Sequence, residues 1–187
     1  KMQKILFLTG ALGFAGKHYY KIYKNWWDKI IVYDKCTYAS DIIFFKKHKR
    51  KKDVLIKGDV CDFKKLFKSI PVKSHVIHFA AESHVDNSFS TSLIFTKTNS
   101  LGTHTLLEVC RFKKNKKITI ISTDEVYGET KNIIKNEKSI LEPTNPYSAS
   151  KTSADIISQT YFKCYKLPIN IVRANNLYGD YQYIEKI

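Results

Sequence analysis

The residues best suited to chemistry lie in two short stretches of the sequence. In the first, Thr123, Asp124 and Glu125 follow the apolar run of residues 118–121, which predicts a short buried strand. Ligands of an open α/β sheet bind at the carboxyl ends of its strands, so we expect a hydroxyl and two carboxylates at that edge. Neighbouring carboxylates push their pKa values apart, which lets one stay protonated while the other ionises. The pair therefore suits a general acid and a general base, although an exposed turn is the alternative.

The second stretch contains Tyr147 and Lys151. The pattern predicts a helix over residues 147–165, and residues four apart lie on the same face of a helix. A lysine ammonium beside a phenol favours the phenolate, so we expect it to lower the pKa of Tyr147. Such a tyrosine can take a proton from an alcohol while a hydride leaves elsewhere. A hydride needs an acceptor, and the preceding elements are therefore expected to bind a dinucleotide.

A strand predicted over residues 4–9 precedes a glycine motif, and a helix predicted over residues 17–27 follows it. In that context glycines allow a tight turn and let the backbone approach a pyrophosphate, which the N–H groups of the helix N-terminus can bind. A bare turn is the alternative. The motif residues predicted to bind the cofactor are Gly10, Gly13, Phe14, Ala15 and Gly16.

A second strand is predicted over residues 29–33, and Asp34 follows it, 18 residues beyond Gly16. That spacing suits the acid that binds the adenosine ribose. An acid there favours NAD over NADP, because its charge repels a 2′-phosphate, whereas the adjacent Lys35 weakens this preference. The alternative role for Asp34 is to cap a helix.

Two further strands are predicted over residues 53–58 and 75–79. Asp59 follows the first, and two roles are equally supported: accepting a hydrogen bond from the adenine amino group, or capping a helix over residues 62–69. His78 lies within the second strand and is expected to be a core histidine. His84 lies in the loop after it and is a candidate for the pocket lining.

The rest of the sequence continues to alternate helices and strands. It predicts a helix over residues 92–112 with Gly102 as a close-packing point, a strand over 116–122, a surface loop over 129–145 and a strand over 167–172. This alternation predicts an α/β fold with a doubly wound parallel sheet and right-handed crossovers. We expect residues 1–187 to form one Rossmann domain that carries both the cofactor site and the catalytic residues.

The composition is that of a folded protein, because 43% of the 187 residues are hydrophobic, which excludes a disordered chain. No apolar run approaches the ~20 residues that span a bilayer, and no signal peptide is visible. We therefore expect a cytoplasmic protein without membrane contact. The cysteines lack metal-ligand spacing, so we expect reduced core or near-core thiols and no metal, with a disulfide as the alternative. They are Cys36, Cys61, Cys110 and Cys164.

The formal net charge of +15 admits two interpretations. One is nucleic-acid binding. We favour the other, a lysine-rich solvated surface, because only three of the 32 basic residues are arginine and the densest basic run, residues 46–52, contains no aromatic residue for base stacking. That run is expected in a loop or at a helix end, and no nucleic-acid partner is expected.

These motifs together resemble those of the extended short-chain dehydrogenases/reductases, and more narrowly those of nucleotide-sugar 4,6-dehydratases of the dTDP-glucose or UDP-glucose kind. The glycine motif and the pair Tyr147 and Lys151 mark only the superfamily. The Thr-Asp-Glu triplet at residues 123–125 marks the dehydratases, because related epimerases carry small residues after the Ser or Thr. The run HFAAESHVD at residues 78–86 supports the same subgroup.

The resemblance implies dehydration of the glucose ring. Tyr147 removes the proton of the 4-hydroxyl while the carbon-4 hydride passes to NAD⁺, and Thr123 orients the 4-oxygen. Glu125 then removes the carbon-5 proton, and Asp124 protonates the departing 6-hydroxyl. Return of the hydride to carbon 6 gives a 4-keto-6-deoxy sugar. Lys151 holds the nicotinamide ribose and tunes Tyr147.

The resemblance also implies binding residues, position by position. Beyond the glycine motif, those for the cofactor are Asp34, Lys35, Cys36, Thr37, Asp59, Val60, Phe79, Ala80, Ala81, Glu82, Ser83, Thr98, Tyr147 and Lys151. Those for the nucleotide sugar are Ser83, Thr123, Asn176, Lys186 and Ile187. Leu177 and Asp180 stand where the family usually has Asn and Pro, which bears on local contacts and not on the reaction class.

Members of that family are longer than 187 residues, so we expect the C-terminal substrate domain to be missing. Remote binding energy positions the reacting centre, and the 187 residues alone are therefore expected to turn over very slowly. Family members are commonly homodimers that pack through two helices, here residues 92–112 and 147–165. The alternatives are a nucleotide-sugar 4-epimerase or decarboxylase, and a non-catalytic NAD-binding module.

Overall fold

The computed structural model describes residues 3–130 and 133–182. Its strands are β1 (Ile5–Thr9), β2 (Lys29–Asp34), β3 (Val54–Lys57), β4 (His75–His78), β5 (Lys117–Thr123) and β6 (Ile169–Ala174). They form one parallel sheet in the spatial order β3-β2-β1-β4-β5-β6. The chain changes direction across the sheet between β1 and β4, as a doubly wound sheet requires. The predicted α/β architecture is confirmed.

Helices connect the strands. The α-helices are α1 (Phe14–Tyr23), α2 (Ile42–His48), α3 (Phe63–Ser69), α4 (Val85–Ser90), α5 (Ser92–Phe95), α6 (Gly102–Lys113) and α7 (Pro146–Tyr165). Two 3₁₀ turns, Lys24–Trp26 and Asp124–Tyr127, and a π-helical turn, Thr96–Leu101, complete the helical structure of the described residues. The helix predicted over residues 147–165 is confirmed as α7.

Two predicted helices differ in detail from those observed. Helix α1 begins at Phe14, inside the glycine motif, because Gly13 takes the extended conformation of an N-cap. The helix predicted over residues 92–112 is interrupted by the π-helical turn between α5 and α6. Such turns occur frequently at functional sites.

Two short helices, α2 and α4, were not predicted as separate elements. Asp41 caps α2 by accepting a hydrogen bond from the Phe44 backbone N–H at 2.8 Å. Helix α2 ends at His48, so the basic run at residues 46–52 covers a helix end and the loop after it, as predicted. The predicted surface loop is also confirmed, since residues 129–130 and 133–145 contain no helix or strand.

Apolar side chains alternate along the central strands and fill both faces of the sheet. Along β1, Leu6 and Leu8 lie in one core with Tyr20 of α1 and Phe45 of α2. Phe7 points to the other core, which α3, α6 and α7 cover. This period of two is that of a strand with both faces buried.

Two predicted packing positions are confirmed. His78 is buried between the hydroxyls of Thr9 and Thr103, at 2.7 and 3.1 Å from its ring nitrogens, and burial lowers its pKa to about 3. A Cβ on Gly102 would lie 2.6 Å from Cγ2 of Val60. Helix α6 therefore approaches the loop after β3 as closely as a glycine allows.

All four cysteines are free thiols, and Cys110 is buried while Cys36 and Cys61 are partly buried. Cys164 is exposed, so its predicted core or near-core position is wrong, because it lies off the buried face of α7. Within the described part of the chain, no helix is both long and apolar enough to span a membrane. The same residues contain no group of three or more His, Cys, Asp or Glu side chains that could hold a metal ion.

Candidate active site

The carboxylate pair lies at the carboxyl edge of the sheet. Thr123 is the last residue of β5, and Asp124 and Glu125 open the 3₁₀ turn after it. The Thr123 hydroxyl donates to Asp124 Oδ1 at 3.2 Å and accepts from the Glu125 backbone N–H at 3.2 Å. The Thr123 hydroxyl also lies beside the Tyr147 phenol. The two stretches predicted to do chemistry therefore meet, as the sequence indicated.

Helix α7 carries the tyrosine and lysine in its first two turns. Tyr147 and Lys151 are both buried. The Lys151 ammonium donates to the backbone carbonyl of Ile121 on β5 at 2.7 Å. A charged donor bound to a strand carbonyl fixes the helix against β5, and thereby holds Tyr147 beside Thr123.

Asn145 joins the two stretches and was not predicted from the sequence. Its side-chain carbonyl accepts from the Ser148 backbone N–H at 2.8 Å and caps α7. Its side-chain amide donates to Glu125 Oε2 at 3.2 Å. An Asn followed by Pro and by Ser three residues on is a local helix-start signal, so the cap was readable, whereas the contact with Glu125 was not.

The expected lowering of the Tyr147 pKa is wrong for this structure. Burial, followed by the negative charge of Glu125, raises the pKa of Tyr147 to about 12. Burial lowers the pKa of Lys151 to about 8. The Lys151 ammonium does not lower the Tyr147 pKa because it is directed at the Ile121 carbonyl, whereas the carboxylates of Glu125 and Asp124 lie beside the phenol. Any ionisation of Tyr147 at neutral pH therefore requires further positive charge near the ring.

The glycine motif forms a cradle that added side chains would fill. Gly10 has φ +63°, and a Cβ there would lie 2.4 Å from the Ala80 backbone nitrogen. A Cβ on Gly16 would lie 2.5 Å from the Gly10 carbonyl oxygen. Helix α1 begins directly after Gly13, so the N–H groups of its first turn lie at this loop, as in anion sites at helix N-termini. The cradle fits a dinucleotide pyrophosphate.

Asp34 ends β2 beside this cradle and organises it. Its carboxylate accepts from the backbone N–H of Leu12 at 3.0 Å, from that of Cys36 at 2.8 Å and from the Ser40 hydroxyl at 2.9 Å. The alternative role as a helix cap is wrong, because Asp41 caps the next helix. A carboxylate has about four acceptor positions, which leaves one for a ribose hydroxyl.

The neighbouring Asp59 pairs with Lys35, whose ammonium lies 2.9 Å from Asp59 Oδ2. The other Asp59 oxygen accepts from the Cys61 backbone N–H at 2.9 Å. Asp62 caps α3 by accepting from the Lys65 N–H at 2.9 Å, so the capping alternative for Asp59 is wrong. Because Lys35 pairs with Asp59, the positive charge of Lys35 points toward the place expected for the adenine.

The loop after β4 is tied to α7 by Asn99, a second residue that the sequence analysis missed. Its side-chain oxygen accepts from the Glu82 N–H at 2.8 Å. Its amide donates to the Glu82 carbonyl at 2.9 Å and to the Ser150 hydroxyl at 2.8 Å. Asn99 lies in the π-helical turn, and no local pattern marks it, because its partners lie far away in sequence.

Comparison with known proteins decides the family. The family model described as GDP-mannose 4,6 dehydratase matches residues 7–187. The chain belongs to this family. It is 48% identical to a dTDP-D-glucose 4,6-dehydratase of Dictyostelium discoideum, over 100% of this chain and 46% of the relative. It is 39% identical to a trifunctional UDP-glucose 4,6-dehydratase/UDP-4-keto-6-deoxy-D-glucose 3,5-epimerase/UDP-4-keto-L-rhamnose-reductase of Arabidopsis thaliana, over 98% of this chain and 29% of the relative.

A solved structure agrees with the family assignment. The dTDP-glucose 4,6-dehydratase DesIV of Streptomyces venezuelae, solved with NAD and TYD bound, matches with a TM-score of 0.93 and 35% identity, over 97% of this chain and 59% of that one. The chain therefore spans about half the length of this structure and of the Dictyostelium relative.

Most of the remaining residues that the dehydratase resemblance implied follow the carboxyl ends of strands. Val60 is buried in the core, so any contact with an adenine would fall to its backbone. His84 caps α4, accepting from the Asn87 N–H at 3.5 Å, and its place in the pocket lining stays a prediction. Thr37, Ser83 and Asn176 are exposed, whereas Phe79, Ala80, Ala81 and Thr98 are partly buried. Lys186 and Ile187 lie outside the described residues.

The tight cradle leads to a stability prediction. We expect Gly16→Ala to lower the free energy of unfolding by about 1–3 kcal/mol, because the added methyl meets backbone atoms of Gly10 and Ala11. The helix propensity of alanine recovers at most about 1 kcal/mol. Gly13→Ala is the matched control, since its Cβ would lie 3.4 Å from the Gly10 carbonyl oxygen. Urea unfolding measures both, and equal midpoints would contradict the prediction.

Proposed function

We propose that this chain is the NAD-binding and catalytic domain of a nucleotide-glucose 4,6-dehydratase, with dTDP-glucose as the preferred substrate and UDP-glucose as the second. The observation that carries the proposal is the meeting of Asp124 and Glu125 with Tyr147 at one end of the sheet. Removal of an alcohol proton requires the tyrosine alone. Elimination of water requires an acid and a base as well, and the carboxylate pair supplies them.

The residues around the cradle suit NAD. The α1 N-terminus and the close glycines fit the pyrophosphate, and Asp34 has an acceptor position for a ribose hydroxyl. Its charge disfavours a 2′-phosphate, and Lys35 is turned away toward Asp59. Bound NAD supplies a reversible hydride acceptor. Lys151, held at the Ile121 carbonyl, has two further donor hydrogens for the nicotinamide ribose.

Tyr147 acts first in this proposal, by taking the proton of the sugar 4-hydroxyl as a phenolate. The positive charge of the nicotinamide of bound NAD⁺ would favour that ionised form. Thr123 lies beside the phenol and orients the 4-oxygen between them. Loss of a hydride from carbon 4 then leaves a ketone, which acidifies the proton on carbon 5. The order follows from chemistry, because that proton is not acidic until the ketone exists.

The carboxylate pair acts second. Glu125 removes the carbon-5 proton as general base, and the amide of Asn145 orients its carboxylate. Asp124 protonates the leaving 6-hydroxyl as general acid. The hydride returned to carbon 6 and a proton returned to carbon 5 complete a 4-keto-6-deoxy sugar.

We further propose a cytoplasmic homodimer. Free thiols are usual in reducing compartments. The outer faces of α6 and α7 expose large apolar side chains, among them Phe112, Ile156 and Phe162, and the π-helical turn before α6 exposes Leu101. Apolar side chains exposed on two packed helices favour association with the helices of a second copy. Sedimentation of the gene product at its natural length tests the dimer.

A product assay on the gene product at its natural length tests the function. dTDP-glucose and UDP-glucose are offered separately, without added reductant, and the products are analysed by mass spectrometry. We expect a loss of one water, faster with dTDP-glucose. An isomer of unchanged mass would instead establish an epimerase, and a loss of carbon dioxide from a nucleotide-sugar acid would establish a decarboxylase. Bound NAD without any turnover would indicate a non-catalytic module.

A further inference from the structure

A fully buried carboxylate in α7 has no part in the chemistry above. Asp155 has 0% of its surface exposed, and it lies one turn beyond Lys151. A buried carboxylate is costly unless a cation and hydrogen bonds compensate it. Its partner is Arg173 of β6, whose Nε donates to Asp155 Oδ2 at 2.7 Å. Helix α7 is thus bound to the last strand of the sheet close to its catalytic turns.

The same guanidinium also binds the turn that carries the carboxylate pair. Arg173 Nη1 donates to the Tyr127 hydroxyl at 2.6 Å, and the guanidinium carbon lies 4.9 Å from the centre of the Tyr127 ring. Tyr127 is the last residue of the 3₁₀ turn that begins at Asp124. One rigid, planar cation therefore contacts both pieces of chain that supply reacting groups.

The geometry of the guanidinium matters for that joint. Its donors point in fixed directions in one plane, so binding Asp155 and Tyr127 together restricts how far the turn and the helix can move apart. Among the described residues, Asn145 at the helix start donates to Glu125 at 3.2 Å, and Lys151 donates to the Ile121 carbonyl of β5 at 2.7 Å. Arg173 adds a third connection, between the helix and the far end of the turn.

We propose that Tyr127, Arg173 and Asp155 form a clamp that sets the position of the Asp124–Tyr127 turn relative to the tyrosine and lysine of α7. All three are positioning residues. The expected effect of the clamp on the reaction rate rests on the proposed dehydratase function. Its expected effect on the position of the turn rests on the geometry alone.

The chain contains a matched control for this clamp. Arg50, Asp53 and Tyr20 form a second buried trio, in which Arg50 donates to both Asp53 oxygens at 2.8 and 2.9 Å and the Tyr20 hydroxyl donates to Asp53 at 2.7 Å. It joins α1 to the residue before β3, at the opposite edge of the sheet from the carboxylate pair. Loss of the Tyr127 hydroxyl removes its hydrogen bond with Arg173. Loss of the Tyr20 hydroxyl removes two, one to Asp53 and one from the Arg50 backbone N–H at 3.2 Å, so this control costs at least as much stability.

The first test compares Tyr127→Phe with Tyr20→Phe in the gene product at its natural length. Tyr127→Phe keeps the ring beneath Arg173 and removes the hydroxyl alone. We expect kcat for the nucleotide-glucose to fall about tenfold with KM within about twofold, since misplacement by ~1 Å can cost up to ~10²-fold. Tyr20→Phe should destabilise the protein at least as much and leave kcat within about twofold. A similar kcat for both variants would overturn the effect on rate.

A second measurement needs no turnover. The Gly128 N–H donates to the Glu125 carbonyl at 3.1 Å, and the Glu142 N–H donates to the Val126 carbonyl at 3.0 Å, so both amides report on the turn. Tyr127→Phe and Arg173→Lys should each speed hydrogen exchange at these amides and leave α3 unchanged. Unaltered exchange in both variants would overturn the clamp. If the unmodified protein dehydrates neither nucleotide-glucose, the proposed function fails, and the exchange result alone decides the clamp.

Discussion

Tyr147→Phe is expected to lower kcat for dehydration by about 10²–10⁴-fold, the range for loss of a general acid–base group. The ring packs edge-on against Phe95 at 6.3 Å between centroids, so phenylalanine keeps the packing and loses the hydroxyl beside Thr123. Because proton removal and hydride loss from carbon 4 occur together, the block falls on the first step. In a single turnover, neither reduced cofactor nor dehydrated sugar should form.

Tyr161→Phe is the matched control on the same helix. Its hydroxyl donates to Glu108 Oε2 on α6 at 2.7 Å, away from the carboxylate turn, and its loss should change kcat by no more than about twofold. Retention of the normal rate of cofactor reduction by Tyr147→Phe would show that another group removes the 4-hydroxyl proton. In the free protein, the Tyr147 phenol is expected to ionise only at high pH, because burial and the charge of Glu125 raise its pKa to about 12.

The neighbourhood of the reacting groups was predictable because parallel strands end at one edge. Thr123 follows an apolar run that becomes β5, and Asp34 follows one that becomes β2. Once the runs are identified as parallel strands, the residues that end them must face one crevice. The place of Tyr147 followed from a helix start just after a long polar loop. None of these inferences required a knowledge of side-chain direction.

Side-chain direction accounts for what could not be predicted. The spacing of Tyr147 and Lys151 correctly put them on one face of α7, yet the lysine donates to the Ile121 carbonyl, and burial dominates the pKa of both. The contact of Arg173 with Asp155 spans 18 residues and that with Tyr127 spans 46. Contacts across such separations leave no periodic trace in the sequence, because they depend on which strand ends become neighbours.

Glu125→Gln is expected to separate the two halves of the reaction. The side chain keeps its shape, and its amide oxygen can still accept from Asn145, which donates to Glu125 Oε2 at 3.2 Å. The base that removes the carbon-5 proton is lost, so elimination should slow by about 10²–10⁴-fold. Oxidation at carbon 4 should persist, because Tyr147 and Thr123 are unchanged. Reduced cofactor should therefore accumulate, measured by its absorbance in a single turnover, while the sugar keeps its mass.

Glu142→Gln controls for the loss of a carboxylate near the site. Glu142 is exposed and pairs with Lys135 at 3.4 Å, a contact worth at most about 1 kcal/mol, so dehydration should proceed at the normal rate.

Together with Tyr147→Phe, the Glu125 variant distinguishes the reaction classes, because an epimerase needs the tyrosine and has no use for the base. If Glu125→Gln released a 4-keto-6-deoxy sugar at the normal rate, Asp124 and not Glu125 would be the general base. If Glu125→Gln formed no reduced cofactor at all, Glu125 would be acting in the oxidation step. The assignment of oxidation to α7 and of elimination to the Asp124–Tyr127 turn would then be wrong.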